Sequence, residues 1–107
     1  MKRLSTVLAL ALTLPAANSI AQTSGDTVAG RQLSLSVCAT CHQVTADESA
    51  PRGNAPSFAA IANLPSTTQM ALHAFLSTPH ANMPNLVLKP QEQNDVIGYI
   101  LSLRKSP

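Results

Sequence analysis

Two cysteines and a histidine stand together in the segment Cys38-Ala39-Thr40-Cys41-His42. Two thiols and an imidazole at this spacing can form a disulfide, bind a metal ion or attach a prosthetic group. The pattern C-x-x-C-H is the attachment signature of c-type haem, in which the thiols become thioethers and the adjacent histidine reaches the iron. We therefore predict one covalent haem c, attached through Cys38 and Cys41, with His42 as an iron ligand.

Three alternatives to haem attachment remain open for this motif. A redox-active disulfide of the thioredoxin type needs a βαβ context, whereas residues 27–37 have the periodicity of a helix. A structural zinc site needs four nitrogen or sulfur ligands, and the motif supplies fewer. A chance match is also possible, because the pattern fixes few positions. Haem attachment is the prediction that accounts for all three side chains.

A second iron ligand must come from elsewhere, and the candidate side chains are Met70, His73, His80 and Met83. Met83 lies before Pro84 in a loop that precedes the last predicted helix. A thioether favours ferrous iron, so ligation by histidine and methionine raises the reduction potential. We predict Met83, with His80 of the same loop as its main rival. Met70 is predicted to fill the core, and His73 to lie on a helix surface.

Short helices joined by loops rich in proline and asparagine are predicted to position these ligands. Asp26 is expected to cap a helix that runs to Val37, with an apolar stripe formed by Ala29, Leu33 and Val37. This helix leads directly into the C-x-x-C-H motif.

Two further helices are predicted after the motif. Ser66 and Gln69 resemble a capping box for a helix over residues 67–76, which Pro79 stops. The last helix begins at Pro90 and ends near Arg104 and Lys105, cations suited to its C-terminal dipole. Its predicted buried face comprises Val96, Ile97, Ile100, Leu101 and Leu103. No convincing strand pattern is present, so the predicted fold class is all-α.

The first residues have the features of an export signal. Lys2 and Arg3 precede an apolar run, Leu4 to Leu14, and small residues follow at Ser19 and Ala21. As a helix this run reaches about 17 Å, against a hydrocarbon core of about 30 Å, which is too short to span a membrane. We predict a signal peptide at residues 1–21, a single domain at 22–107 and a periplasmic location, with no membrane span after cleavage.

The charge pattern excludes one class of partner. The formal net charge of the chain is +2, and the two basic residues of the predicted signal peptide account for all of it. The predicted domain is therefore formally neutral and has no basic run, so nucleic-acid binding is not expected.

The chain resembles the class I cytochromes c, specifically the small mono-haem proteins of bacteria, over nearly all of residues 25–104. The segments that carry the resemblance are Cys38-Ala39-Thr40-Cys41-His42, Ala55-Pro56-Ser57-Phe58, Met83-Pro84-Asn85 and Asp95-Val96-Ile97-Gly98-Tyr99-Ile100-Leu101-Ser102-Leu103. The resemblance implies a small cytochrome c fold, in which several short helices surround the haem and the first and last helices cross.

The resemblance also assigns roles to individual residues. It implies that Gly30 and Tyr99 meet where these two helices cross. It further implies that the carbonyl of Pro56 accepts a hydrogen bond from the second ring nitrogen of His42, with Pro51 as an alternative acceptor. Such a bond would orient the ring and tune its donor strength.

Haem supplies one-electron chemistry, and two filled axial positions leave the iron no open site for a substrate. The predicted function is electron transfer between redox partner proteins, such as a dehydrogenase, an oxidase or another cytochrome, and not catalysis. Two alternatives are kept. One is a haem enzyme, or a protein that binds peroxide or a gas, with a labile sixth ligand. The other is a subunit that serves as the electron outlet of a dehydrogenase or oxidase complex.

Overall fold

A computed structural model of the protein describes residues 25–46 and 53–106, so the predicted signal peptide lies outside the described residues. The described chain forms four helices: α1 (Thr27–Val37), α2 (Phe58–Ala62), α3 (Gln69–Ser77) and α4 (Pro90–Ser102). It contains no β-strand, and its one β-type pairing is an isolated antiparallel bridge between His80 and Met83. The all-α prediction is confirmed. Over these residues, no helix is long and apolar enough to cross a membrane.

Asp26 begins α1, as the sequence predicts. Its carboxylate accepts hydrogen bonds from the backbone N–H groups of Val28 and Ala29 at 2.9 and 3.1 Å. These are among the N–H groups that the start of a helix leaves without an intrahelical partner. The cap therefore fixes the residue at which α1 begins.

The buried face of α1 differs from the predicted stripe of Ala29, Leu33 and Val37. The buried residues are instead Gly30 and Ser34, whereas Val37 is 38% exposed. The prediction was wrong because it followed hydrophobicity alone. The helix turns its smallest residues toward α4, so that the two backbones can approach each other closely.

The approach of α1 and α4 leaves no room for side chains at two glycines. A Cβ atom added to Gly30 would lie 1.9 Å from the backbone oxygen of Asp95 and 3.0 Å from the Cβ of Tyr99. One added to Gly25 would lie 2.0 Å from the backbone oxygen of Asn94. The predicted meeting of Gly30 and Tyr99 is confirmed, and packing explains a glycine inside a helix, where it costs about 1 kcal/mol relative to alanine.

A buried carboxylate also joins these two helices. Asp95, on α4, accepts hydrogen bonds from the backbone N–H of Asp26 and from the side-chain amide of Gln91, both at 2.8 Å. The carboxylate thus lies at the N-terminal end of α1, where the helix dipole favours negative charge. It fixes the start of α1 against the first half of α4.

The start of α3 differs from the prediction. Thr68 caps the helix, since its hydroxyl accepts a hydrogen bond from the backbone N–H of Ala71 at 3.0 Å, and the predicted capping box at Ser66 is wrong. The preceding residue, Thr67, is buried and donates its hydroxyl to the carbonyl oxygen of Ile61 at 2.6 Å. This inward turn moves the helix start two residues later than predicted.

Helix α4 contacts each of the other three helices and supplies half of the buried apolar core. That core comprises Val44, Phe58, Ala62, Leu72, Val96, Ile97, Tyr99 and Ile100. Leu101 and Leu103, which were predicted to be buried, are half-buried at its edge. The predicted start of α4 at Pro90 is confirmed.

The basic residues after α4 have a different role from the predicted one. The Arg104 side chain donates hydrogen bonds to the carbonyl oxygens of Ala62, at 3.0 Å, and of Thr67. Ala62 is the last residue of α2, so Arg104 places its positive charge at the C-terminal end of α2. The backbone N–H of Lys105 donates to the side-chain oxygen of Asn63 at 3.0 Å. These bonds fasten the end of the chain to the loop between α2 and α3.

We predict that Gly30→Ala lowers the free energy of unfolding by about 1–3 kcal/mol, because the new methyl group clashes with the α4 backbone. Urea denaturation followed by far-UV circular dichroism measures this. Gly53→Ala is the control, since its added Cβ would come no closer than 3.4 Å to its nearest neighbours. A stabilisation of Gly30→Ala by about 1 kcal/mol, as helix propensity alone would give, contradicts the packing argument.

Candidate haem-binding site

The C-x-x-C-H motif forms a turn that continues directly from α1. The backbone N–H of Cys38 donates to the carbonyl oxygen of Ser34 at 2.8 Å, and the carbonyl of Cys38 accepts from the N–H groups of Cys41 and His42 at 3.2 and 2.9 Å. These bonds place both cysteines and the histidine on a single turn. This arrangement suits attachment of one planar group through two sulfur atoms and one nitrogen.

The two thiols are not joined to each other. Cys38 is half-buried and Cys41 is exposed. Burial raises the pKa of the Cys38 thiol, and the nearby Ser34 hydroxyl opposes that shift to a smaller extent. The Ser34 oxygen itself is fully buried and has no hydrogen bond of normal geometry within the described chain. Cys38 is consequently a neutral thiol at neutral pH.

One ring nitrogen of His42 is engaged by a backbone carbonyl. Its Nδ1 lies 2.6 Å from the carbonyl oxygen of Pro56. Because a carbonyl oxygen only accepts hydrogen bonds, Nδ1 carries the proton, and the lone pair of the neutral ring is then on Nε2. The contact that the resemblance implied for Pro56 is present, and the alternative acceptor Pro51 lies outside the described residues.

The segment that carries Pro56 is attached to the segment that follows His42. The backbone N–H of Phe58 donates to the carbonyl oxygen of Gln43 at 2.9 Å. The Phe58 ring is buried, and its centroid lies 5.4 Å from that of His42 at a tilted angle. The histidine ring is thus held by the carbonyl of Pro56 and by the ring of Phe58.

Met83 lies at the end of a tight turn between α3 and α4. The turn closes with a hydrogen bond from the N–H of Met83 to the carbonyl of His80 at 3.4 Å. Asn82 has a φ angle of 67°, a left-handed conformation that asparagine adopts more readily than most residues. This turn sets the direction in which the chain carries Met83.

Met83 also lines a mainly apolar cavity of about 230 Å³. The side chains around it include Phe75, Leu76, Leu86 and Val87, and Val87 is 98% exposed. A thioether thus lies beside apolar surface that the described chain itself does not cover.

The other three candidate ligands are placed differently. Met70 is 81% exposed on α3, so its prediction as a core residue was wrong. His73 is half-buried, with its Nδ1 2.9 Å from the side-chain oxygen of Gln93. His80 shares the turn of Met83, but its Nδ1 lies 2.7 Å from the carbonyl oxygen of Thr78.

Two aromatic contacts of this region were not predicted. Phe58 packs against His42, as described above, and the ring of Phe75 stacks on that of His80 with centroids 3.5 Å apart. The chain has two phenylalanines and one tyrosine, so each aromatic ring was a candidate for a functional contact. The partner rings lie far away or across a loop in the sequence, and no local pattern identifies them.

These residues fit a covalently attached haem. Two unpaired thiols lie on one turn with an imidazole whose Nε2 has a free lone pair, and a thioether lines an apolar cavity. Within residues 25–46 and 53–106, no three or more His, Cys, Asp or Glu side chains come together as a metal site. The described residues therefore offer no support for the zinc alternative.

A small all-α fold with a thiol pair and histidine at the end of its first helix defines the class of covalent haem proteins. Residues 27–104 match the protein family described as Cytochrome c. The match covers most of the chain, which therefore belongs to the cytochrome c family. Comparison with curated proteins and with solved structures gave no significant match.

Membership of this family fixes the cofactor. Its members bind haem c covalently, and Cys38 and Cys41 have the expected C-x-x-C-H spacing. The cofactor is therefore haem c with its iron, and the chemistry of the family is electron transfer based on that haem.

We predict that Asn82→Val lowers the free energy of unfolding of the haem-loaded protein by about 1–2 kcal/mol, because a β-branched residue is strained in the left-handed conformation. Urea denaturation measures this. Asn82→Gly is the control and should unfold at or above the wild-type urea concentration. Equal unfolding free energies for the two variants would show that the conformation of this turn does not matter.

Proposed function

We propose that this chain is a periplasmic electron-transfer protein, with haem c bound through thioethers to Cys38 and Cys41 and with His42 and Met83 as the axial iron ligands. One observation carries the proposal: the His42 ring is hydrogen-bonded to Pro56 through Nδ1, on the same turn as both thiols. This arrangement leaves Nε2 available as a ligand beside the two attachment points.

When bound, haem c supplies reversible one-electron chemistry at its iron. The chain's part is to set the reduction potential. The hydrogen bond from His42 to Pro56 strengthens the imidazole as a donor, which favours ferric iron. The thioether of Met83 favours ferrous iron. Together the two ligands are expected to give a positive potential, suited to a carrier in a respiratory chain.

Met83 is favoured over His80 as the second ligand by the contacts of each side chain. His80 is held by Thr78 at one nitrogen and by ring stacking on Phe75. Moving it to an iron atom would cost both contacts. Met83 is half-buried at the wall of the cavity, and a thioether has little hydrogen-bonding capacity to lose.

The same contacts support a carrier over a haem enzyme. An enzyme acting on peroxide needs a side chain that transfers protons next to an open iron site. Outside the motif the chain has two histidines, and His73 and His80 are each engaged in the contacts described above. A saturated iron with an accessible haem edge is the arrangement that an electron carrier needs.

Partner docking is proposed to depend mainly on apolar contact. The predicted domain at residues 22–107 is formally neutral, so strong electrostatic steering is not expected. The exposed Val87 beside the cavity of Met83 is one side chain available for such contact. The partners are redox proteins, such as a dehydrogenase, an oxidase or another cytochrome. The signal peptide at residues 1–21 would deliver the chain to them.

The test uses absorption spectra of the oxidised and reduced protein, matured in a host that exports it and attaches haem. We predict c-type bands, together with the weak near-infrared band of methionine sulfur on ferric haem. Met83→Ala should abolish that band and lower the reduction potential, because a weak soft ligand that favours ferrous iron is lost. Met70→Ala, which removes an exposed methionine, is the control. Persistence of the band in Met83→Ala would refute the assignment.

A second test addresses the enzyme alternative. We predict that carbon monoxide added to the ferrous protein, or peroxide added to the ferric protein, leaves the spectrum unchanged at neutral pH. The reason is that both axial positions are occupied by side chains. Met83→Ala serves as the positive control, since it opens one position. Rapid binding by the wild-type protein would favour a haem site with a labile ligand.

A further inference from the structure

We propose that Tyr99 is a positioning residue for His42, and that it sets the orientation and donor strength of the imidazole from the opposite side of the core. The inference rests on the proposed role of His42 as an iron ligand. It concerns a residue on α4 that is far from the motif in sequence but touches the segments on both sides of it.

The first contact is a buried hydrogen bond behind the histidine. The Tyr99 hydroxyl donates to the carbonyl oxygen of Val44 at 2.8 Å. Tyr99 is 6% exposed and Val44 is 1% exposed, so water cannot readily replace this donor. Val44 lies two residues after His42, and the bond therefore anchors the chain where it leaves the motif.

The second contact lies in front of the motif. The Cβ of Tyr99 packs on Gly30, where an added Cβ would come within 3.0 Å of it. Gly30 belongs to α1, the helix that leads into Cys38. One side chain therefore holds the chain both before and after the haem-attachment turn, and the turn cannot shift relative to α4 without breaking one of these contacts.

The third contact reaches the histidine through a ring. Phe58 lies between the two residues, with its centroid 6.3 Å from that of Tyr99 and 5.4 Å from that of His42, tilted against both. Phe58 also lies two residues after Pro56, whose carbonyl accepts the hydrogen bond of His42. Tyr99 thus supports both the ring of His42 and the segment that carries its acceptor.

The consequence concerns the bond between His42 and Pro56. Without the Tyr99 hydroxyl, the buried carbonyl of Val44 loses this donor, and an unsatisfied buried carbonyl is costly. The segment that follows His42 should then shift, and the Nδ1 contact of 2.6 Å should lengthen. A weaker hydrogen bond makes the imidazole a weaker donor. Ferric iron is then less favoured, so the reduction potential should rise.

The test compares Tyr99→Phe with Thr67→Val in the haem-loaded protein. Each variant removes one buried hydroxyl that donates to a backbone carbonyl, and Thr67 bonds to Ile61, away from the motif. Tyr99→Phe should shift the reduction potential upward and displace the His42 ring signals in the NMR spectrum of the ferric protein. Thr67→Val should lower the urea midpoint but leave both the potential and these signals at their wild-type values.

Equal potentials and unchanged His42 signals in Tyr99→Phe would overturn the inference, as would the same shift in both variants. If Tyr99→Phe does not accumulate, Phe58→Leu replaces it, because it removes the intervening ring and keeps the hydroxyl. An upward shift with displaced His42 signals then supports the inference, and no shift overturns it. A wild-type protein without attached haem, or without His42 signals shifted by the iron, would instead contradict the proposed function.

Discussion

The close approach of α1 and α4 at Gly30 is the constraint on which the rest of the structure depends. With no side chain at that position, the α4 backbone comes near enough for Asp95 to bond the start of α1 and for Tyr99 to reach the segment behind His42. The end of α1 delivers the haem-attachment turn. The geometry of the two thiols and the histidine therefore depends on a contact between backbones about two turns earlier in the helix.

The two proposed iron ligands are held in physically different ways. His42 depends on Pro56, Phe58 and Tyr99, contacts that join distant parts of the chain through the buried core. Met83 depends on a four-residue turn that lies mostly at the surface. Local opening costs least where few buried contacts must break. The protein thus has a firmly fixed histidine and a methionine loop that opens more easily.

Local chemistry explains what the sequence predicted correctly. The cap at Asp26, the start of α4 and the spacing of the thiols each depend on residues that are neighbours in the chain. The failures are of another kind. The buried face of α1 is set by backbone approach and not by hydrophobicity, Met70 is exposed although its helix is amphipathic, and Arg104 bonds to a helix other than its own. Contacts between distant segments, such as that of the Tyr99 hydroxyl, leave no trace in local patterns.

The central claim is covalent attachment of one haem to the turn at the end of α1, and the intact mass of the exported protein tests it most directly. We predict the mass of a chain that begins at Gln22 plus one haem, unchanged after denaturation and extraction with acidified solvent. The mass of the polypeptide alone, or loss of haem on extraction, would contradict covalent attachment.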